Sequence, residues 1–162
     1  MNYNIIIMEA IVNQIHKSLL KKRKTIAVAE SCTGGLLSSL LTRNPGSSKY
    51  FILGVVTYSN KAKETLLKIP HSIIAKNGAV SKPVAKLMAE RIRKIAKTHF
   101  GIGITGIAGP GGLTPQKPVG TVLIAIDSKY GKICEKYHFR GNRLAIRKKA
   151  ALKSLELLKR TF

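Results

Sequence analysis

Residues 25–41, TIAVAESCTGGLLSSLL, contain the transition that decides the fold. The first five residues are short, apolar and β-branched, which is typical of a buried strand. A small polar and glycine-rich junction follows, and apolar residues then return at helical spacing over 36–42. A buried strand that leads straight into a helix is the basic unit of an α/β protein.

The rest of the chain repeats this alternation. Further strands are predicted over 51–57, 100–105, 120–126 and 132–139, and the last two form a hairpin that turns at Tyr130 and Gly131. Helices are predicted from Met8 to Leu19, over 61–67, after a cap at Ser81 with Pro83 in the first turn, and from Arg143 onward. We therefore expect a three-layer α/β/α sandwich whose mostly parallel, mixed sheet has about five strands.

Apolar spacing also predicts which faces of the two long C-terminal helices are buried. The inner face of the helix after Ser81 should hold Val84, Leu87, Met88, Ile92 and Ile95. The last helix should bury Leu144, Ala151, Leu155 and Leu158.

Length and composition limit the class of protein. A chain of 162 residues, 44% of them hydrophobic, suits one domain over 1–162 with a real core. Cys32 and Cys134 lack metal-ligand spacing and are interpreted as reduced thiols in a cytoplasmic protein, and the four histidines are scattered, so neither a metal site nor a cofactor is expected. No apolar run approaches the roughly 20 residues that span a bilayer, so no membrane association is expected.

The formal net charge of +22 has two interpretations. It can indicate binding to nucleic acid or another polyanion, or it can be a lysine-rich surface. The basic residues are spread over 17–24, 61–68, 91–97 and 143–153, and only 6% of the chain is aromatic. Because no RNA-binding motif interleaves them, the surface interpretation is favoured and nucleic-acid binding stays an alternative.

Functional groups in α/β folds gather where strands end, and three loops there carry reactive or glycine-rich sequence. In the first, ESCTGG, Ser31 is a candidate nucleophile. The backbone N–H groups of Cys32, Thr33 and Gly34 would be free at the helix start to hold an oxyanion. The alternative is that Ser31 or Thr33 only caps the helix.

The second loop, YSNKAK, supplies a candidate base. A serine needs a group that takes its proton, and none of the three loops contains a histidine. A lysine whose pKa is lowered by burial and by a nearby cation can serve, so Lys63 is the candidate and Tyr58 a possible relay. The alternative is that these lysines are ordinary exposed charges.

The third loop, TGIAGPGG, is predicted to bind substrate. Thr105 ends the preceding strand, and Gly106, Gly109, Gly111 and Gly112 let the backbone approach a ligand closely. The loop lacks the lysine of a phosphate-binding Walker motif and the later acidic residue of a dinucleotide fingerprint. Taken alone, such a loop can also be only a turn.

Four segments together resemble the CinA C-terminal domain family: AESCTGG, GVVTYSNKAKETLL, GAVSKPVAKLMAE and GITGIAGPGGLTPQKPVGTV. The resemblance runs from about residue 8 to residue 160. Short stand-alone members of this family are nicotinamide-nucleotide amidases. The resemblance implies that nicotinamide mononucleotide is hydrolysed to nicotinate mononucleotide and ammonia, without a cofactor, by a homodimer or larger homo-oligomer.

The resemblance also assigns roles to residues. It implies that Ser31 is the nucleophile, that Lys63 and Tyr58 belong to the catalytic site, and that an arginine near the last helix, preferably Arg143 but alternatively Arg147, binds substrate. Asn142 stands where the family usually has aspartate, and Leu113 and Gln116 replace its usual glycine and glutamate. A catalytically silent, ligand-binding member of the family is therefore the second hypothesis.

Overall fold

A computed structural model describes residues 3–162, with side chains described from Met8 onward. Met1 and Asn2, which belong to the predicted 1–162 domain, lie outside the described residues. In chain order the elements are α1 (Tyr3–Lys21), β1 (Ile26–Glu30), α2 (Leu36–Leu41), a 3-10 turn (Ser47–Lys49), β2 (Phe51–Val56), α3 (Asn60–Leu67), α4 (His71–Asn77), α5 (Lys82–Ala96), β3 (Phe100–Gly106), β4 (Thr121–Ser128), β5 (Gly131–His138) and α6 (Arg143–Lys159).

The strands form one mixed sheet in the order β2-β1-β3-β4-β5. β1 pairs in parallel with both β2 and β3, whereas β4 is antiparallel to β3 and to β5. Four strands therefore share one direction and β4 alone is reversed. This confirms the predicted α/β sandwich with a mostly parallel, mixed sheet. The chain reverses once between β3 and β4 and again in the β4–β5 hairpin, so only β4 runs in the opposite direction.

Helices cover both faces of the sheet. One core cluster joins residues of α1, α2 and α6 to one face, including Leu37, Leu155 and the strand residues Val28 and Ile102. The opposite face packs against α3, α4 and α5. All five residues of β1 are buried, as expected for a central strand that is covered on both sides.

The packing of α5 on β3 depends on a glycine in the strand. A Cβ atom at Gly103 would lie 2.5 Å from both the carbonyl oxygen of Ala85 and the backbone nitrogen of Ala89. Only glycine leaves room for this approach, and the small residues of α5 allow the helix to lie flat on the strand. This contact sets the position of the α5 N-terminus along the strand direction, relative to the ends of the strands.

The structure corrects several details of the sequence prediction. α4 was not predicted, and β1 and β4 begin one residue later and end one or two residues later than expected. Ile95 is 49% exposed, because the buried stripe of α5 passes from Ile92 to the partly buried Ala96 instead. Leu144 is 54% exposed, because the first turn of α6 lies beside the loops at the sheet edge rather than over the sheet.

The direction of the strands brings the loops together. The carboxyl ends of β1, β2 and β3 lie at one edge, which is also the edge where β4 begins. This edge is the usual location of ligand sites in open α/β sheets. In the described part of the chain, none of the helices combines the length and apolar character that a membrane crossing requires.

Candidate active site

The three loops predicted to carry function meet around one cavity of about 230 Å³. Ten of the predicted site residues line it: Ser31, Cys32, Tyr58, Lys63, Thr105, Gly106, Gly109, Gly111, Gly112 and Arg143. Thr33, Gly34 and Arg147 do not line it. The sheet edge therefore assembles hydroxyl, amine and guanidinium groups from separate parts of the chain.

Lys63 is the most unusual residue of this cavity, because its side chain is only 1% exposed. Its Nζ donates to the backbone carbonyl of Thr57 at 2.8 Å and lies 3.4 Å from the carbonyl of Tyr58. The Oγ of Ser31 lies 3.3 Å from the same nitrogen. The interpretation of Lys63 as an ordinary exposed charge is therefore wrong.

Burial lowers the pKa of Lys63 below the ordinary lysine value, and a thiolate at Cys32 would oppose this shift. Burial also raises the pKa of the Cys32 thiol to about 12, so at neutral pH Cys32 is an uncharged thiol and the opposing effect is lost. No carboxylate of the described residues pairs with the amine. These surroundings favour the neutral form of Lys63, which is the form that can accept a proton.

The hydrogen-bond geometry of Lys63 accommodates a neutral amine. Such an amine has two N–H donors and one lone pair. The carbonyls of Thr57 and Tyr58 can take both donors, and the lone pair then faces the hydroxyl of Ser31. The same geometry can pull the proton of Ser31 toward Lys63 and so activate the oxygen as a nucleophile.

The turn after Ser31 presents two free backbone donors instead of the three expected. Among the described residues, the N–H groups of Cys32 and Thr33 make no backbone or side-chain hydrogen bond. The N–H of Gly34 donates to the carbonyl of Ser31 at 3.1 Å and so is not free. Two adjacent N–H groups beside a nucleophile can stabilise an oxyanion.

Glu30, rather than Ser31 or Thr33, caps the helix that follows. Its fully buried carboxylate accepts from the N–H groups of Gly35, Leu37 and Ser38 at 2.8–3.1 Å and from the Ser38 hydroxyl at 2.6 Å. This leaves Ser31 free of the capping role that was its alternative interpretation. A glutamate directly before a small polar turn was the available signal, but the sequence does not show which way its side chain points.

Arg147 contacts the loop that carries Ser31 on the side away from the cavity. Its Nε and Nη2 both donate to the carbonyl of Thr33, at 3.1 and 2.8 Å. A side chain at Gly34, whose φ is +61°, would meet the guanidinium 3.0 Å away, so glycine is required both by the backbone and by the space. Arg147 thus positions the loop without lining the cavity.

Arg143 lies at the cavity itself. It donates to the carbonyl of Gly109 at 2.7 Å and to the hydroxyl of Tyr58 at 2.6 Å. The Tyr58 ring is 58% exposed at the mouth, and its hydroxyl contacts Arg143 rather than Ser31 or Lys63. The described contacts therefore connect Tyr58 to substrate entry and to Arg143, and they give no support to a proton relay.

Asn142, which differs from the family's usual aspartate, still caps the helix that begins at Arg143. The side chain of Asn142 accepts from the N–H of Ala145 at 2.9 Å and so caps α6. Aspartate makes the same cap. The change from the family's usual residue removes a negative charge beside Arg143 but leaves the start of the helix formed.

Five further residues line the cavity that the sequence did not single out: Asn60, Ala79, Val80, Ile107 and Ala108. The segment at Ala79 is held in place by Thr105, whose hydroxyl donates to the Ala79 carbonyl at 2.9 Å. Apolar residues in a loop give no functional signal, and only the topology brings this segment to the sheet edge. Among the described residues, no group of three or more histidine, cysteine, aspartate and glutamate side chains is placed to hold a metal ion.

Comparisons with known families and structures all identify the same family. The model of the CinA C-terminal domain matches residues 8–162. A CinA-like protein of Syntrophus aciditrophicus is 50% identical over 145 residues, which are 88% of this chain and 34% of that protein. A CinA-like protein of Gemmatimonas aurantiaca is 51% identical over 138 residues, which are 85% of this chain and 32% of that protein. The chain thus spans about a third of the length of these curated relatives.

Solved structures show the same architecture. A competence/damage inducible protein of Agrobacterium tumefaciens superimposes with a TM-score of 0.92 at 33% identity, covering 95% of this chain and 94% of that one. A competence-damaged protein (CinA) superfamily protein of Escherichia coli gives a TM-score of 0.91 at 30% identity, covering 96% and 90%.

Proposed function

The chain belongs to the CinA C-terminal domain family, and we propose that it is an amidohydrolase that converts nicotinamide mononucleotide to nicotinate mononucleotide and ammonia. The observation that carries the proposal is the buried amine of Lys63, 3.3 Å from the hydroxyl of Ser31 in a cavity that Cys32, with its free backbone N–H group, also lines. That arrangement suits acyl transfer from a carboxamide.

In the first half of the reaction, the Oγ of Ser31 attacks the carboxamide carbon while the neutral amine of Lys63 takes the hydroxyl proton. The carbonyl oxygen becomes an oxyanion, which the free N–H group of Cys32 in the cavity lining stabilises. The protonated Lys63 then gives its proton to the leaving nitrogen. The C–N bond breaks, ammonia departs, and an ester between Ser31 and the nicotinoyl group remains.

In the second half, Lys63 removes a proton from water, which attacks the ester carbon. The bond to the Oγ of Ser31 breaks, the serine regains its proton from Lys63, and the carboxylate product leaves. No external oxidant, reductant or metal is needed to balance these steps. One base serves both halves because ammonia release returns Lys63 to its neutral form.

The substrate itself assists this chemistry. The pyridinium ring of nicotinamide mononucleotide carries a positive charge next to the amide. A second cation beside Lys63 disfavours protonation of the amine and so keeps the base neutral. Arg143 and the backbone of the glycine-rich loop offer donors to the polar ribose and phosphate groups at the mouth.

The test is ammonia release from nicotinamide mononucleotide by the purified wild type, Ser31→Ala, Lys63→Ala and the control Lys61→Gln. Lys61 is an exposed neighbour that does not line the cavity. We expect turnover in the wild type and in Lys61→Gln, and a loss of roughly 10³-fold or more in the other two variants. Normal turnover in Ser31→Ala would refute the mechanism. A folded wild type that binds the nucleotide but releases no ammonia would identify a silent, ligand-binding member of the family.

A further inference from the structure

A second cavity of about 230 Å³ lies next to the candidate active site, and Val80 lines both. Three lysines from different elements surround it: Lys82 at the start of α5, Lys117 in the third loop and Lys136 on β5. None of the described residues that line it is a carboxylate. The amine of Lys117 donates to the carbonyl of Asn77 at 3.0 Å, and an anion in the cavity would offset the repulsion among the three like charges that line it.

Thr121, at the start of β4, is an independent observation. Its side chain lies on the face of β4 that packs against α5, lines this second cavity and is only 1% exposed. Its Oγ1 is buried and has no hydrogen-bond partner among the described residues. Buried hydroxyls are normally paired, so this one calls for a ligand atom that can accept or donate a hydrogen bond.

The start of α5 adds donors at the same place. Ser81 occupies the N-cap position and lines the cavity, but its hydroxyl donates to the carbonyl of Gly78 at 2.8 Å instead of capping the helix. This corrects the sequence prediction of a serine cap. Pro83 has no N–H group, so the first-turn donors left without a side-chain acceptor are the N–H groups of Lys82 and Val84, at the positive end of the dipole of this 15-residue helix.

We propose that this second cavity binds a phosphate group, with Thr121, Lys82, Lys117, Lys136 and the α5 N-terminus as its donors. Hydroxyl, ammonium and backbone N–H groups around one space are the combination that tetrahedral oxyanions select. The phosphate has two possible sources. It is either the 5′-phosphate of a nucleotide that extends past Val80 from the candidate active site, or part of a separate phosphorylated molecule.

The experiment measures binding of inorganic phosphate by isothermal titration calorimetry at about 150 mM sodium chloride, where weak attraction to the general positive charge is screened. Wild type is compared with Thr121→Val, Lys136→Gln and the control Lys148→Gln, an exposed lysine on α6 that does not line the cavity. We expect Thr121→Val and Lys136→Gln each to weaken phosphate binding about tenfold, as for loss of a hydrogen bond to a charged group, with less than a twofold change in Lys148→Gln. Unchanged thermal melting confirms that the variants are folded.

Equal binding by all four proteins, or no saturable binding by the wild type, would overturn the proposal. The source is identified by displacement in Ser31→Ala, which keeps the nucleotide intact. Displacement of phosphate by nicotinamide mononucleotide but not by nicotinamide riboside assigns the cavity to the nucleotide's own phosphate. Simultaneous binding of both assigns it to a separate phosphorylated molecule. None of these measurements requires turnover, so failure of the proposed amidase activity leaves the result interpretable.

Discussion

The amine of Lys63 is held against the hydroxyl of Ser31 by two backbone carbonyls, which fix its direction as well as its distance. The carbonyl of Thr57, 2.8 Å from the Nζ, is the stronger anchor, and that of Tyr58, at 3.4 Å, is the weaker. Because both carbonyls follow directly after the end of β2, the sheet orients the candidate base toward the Ser31 loop that follows β1. The pair is therefore built into the fold and does not depend on substrate for its alignment.

The pH dependence of activity follows from the lowered pKa of Lys63. The proposed reaction needs the neutral amine, so we expect kcat/KM for nicotinamide mononucleotide to rise with pH through the pKa of Lys63 in the free enzyme. Because burial lowers that pKa, the midpoint of the rise should lie below the ordinary lysine value of about 10.4. Steady-state rates between about pH 5 and pH 11 cover both the lowered and the ordinary lysine pKa and so measure this limb.

The exposed Lys61→Gln variant is the control for general charge effects, and its profile should coincide with that of the wild type. A limb centred at the ordinary lysine value would contradict the role of burial.

The same buried amine makes the stability of the protein depend on pH. Between the lowered folded pKa and the unfolded value of about 10.4, the unfolded chain binds a proton at Lys63 that the folded protein does not bind. Stability therefore rises with pH in this window, by at most about 1.4 kcal/mol per pH unit from this group. Denaturant unfolding of wild type and Lys63→Met at several pH values isolates the effect, since other titrating groups cancel in the difference. A difference in unfolding free energy that stays constant with pH would show that Lys63 is charged in the folded protein.

Glu30 is predicted to position the nucleophile through the helix that it caps. In Glu30→Gln one carboxylate oxygen becomes an NH₂ group that faces backbone N–H donors. These N–H groups lose their acceptor, and two sets of donors then face each other. We expect a loss of about 2 kcal/mol or more in unfolding free energy, because the group is fully buried. We also expect a lower kcat, because the turn with the N–H groups of Cys32 and Thr33 loses its anchor.

The matched control for Glu30 is Glu9→Gln. Glu9 pairs with Arg43 at 2.7 Å on the surface, and exposed pairs contribute only about 0–1 kcal/mol. Urea unfolding and steady-state kinetics of both variants make the comparison. If the two variants lose the same small amount of stability, Glu30 does not anchor the loop.

The sequence predicted the fold because its patterns are local. The β-branched run before Glu30 and the helical spacing after Gly35 each specify an element without distant information. Parallel strands then bring three loops to one edge, so the amino-acid pattern alone was enough to group Ser31, Lys63 and Gly109. α4 was missed because His71–Asn77 is short and contains only two apolar residues that pack inward, Ile73 and Ile74.

The parts of the site that were not predicted depend on side-chain direction. The side chain of Glu30 points toward α2 rather than toward Lys63. Arg147 contacts the carbonyl of Thr33, away from the cavity, whereas Arg143 contacts the carbonyl of Gly109 in the cavity lining. Residues four apart on a helix share one face, so spacing could not separate these two arginines. The orphaned hydroxyl of Thr121 was equally invisible, because it is defined by the absence of a partner in three dimensions among the described residues.

The two arginines of α6 are predicted to affect different kinetic constants. Arg143 lines the cavity, so Arg143→Lys should raise KM for nicotinamide mononucleotide by roughly tenfold through loss of a planar, charge-assisted contact. Arg147 does not line the cavity but binds the Thr33 carbonyl through two nitrogens. Arg147→Lys keeps a single donor group and loses the contact through two guanidinium nitrogens, so it should lower kcat and leave KM nearly unchanged.

Steady-state kinetics of both variants beside the control Arg43→Lys, an exposed residue paired with Glu9, decide between the two roles. The opposite pattern, with KM raised only in Arg147→Lys, would exchange their assignments. Equal effects of Arg143→Lys and Arg147→Lys on both constants would mean that Arg143 acts on the loop as well. In that case the contact of Arg143 with Gly109, rather than a contact with substrate, would be its main contribution.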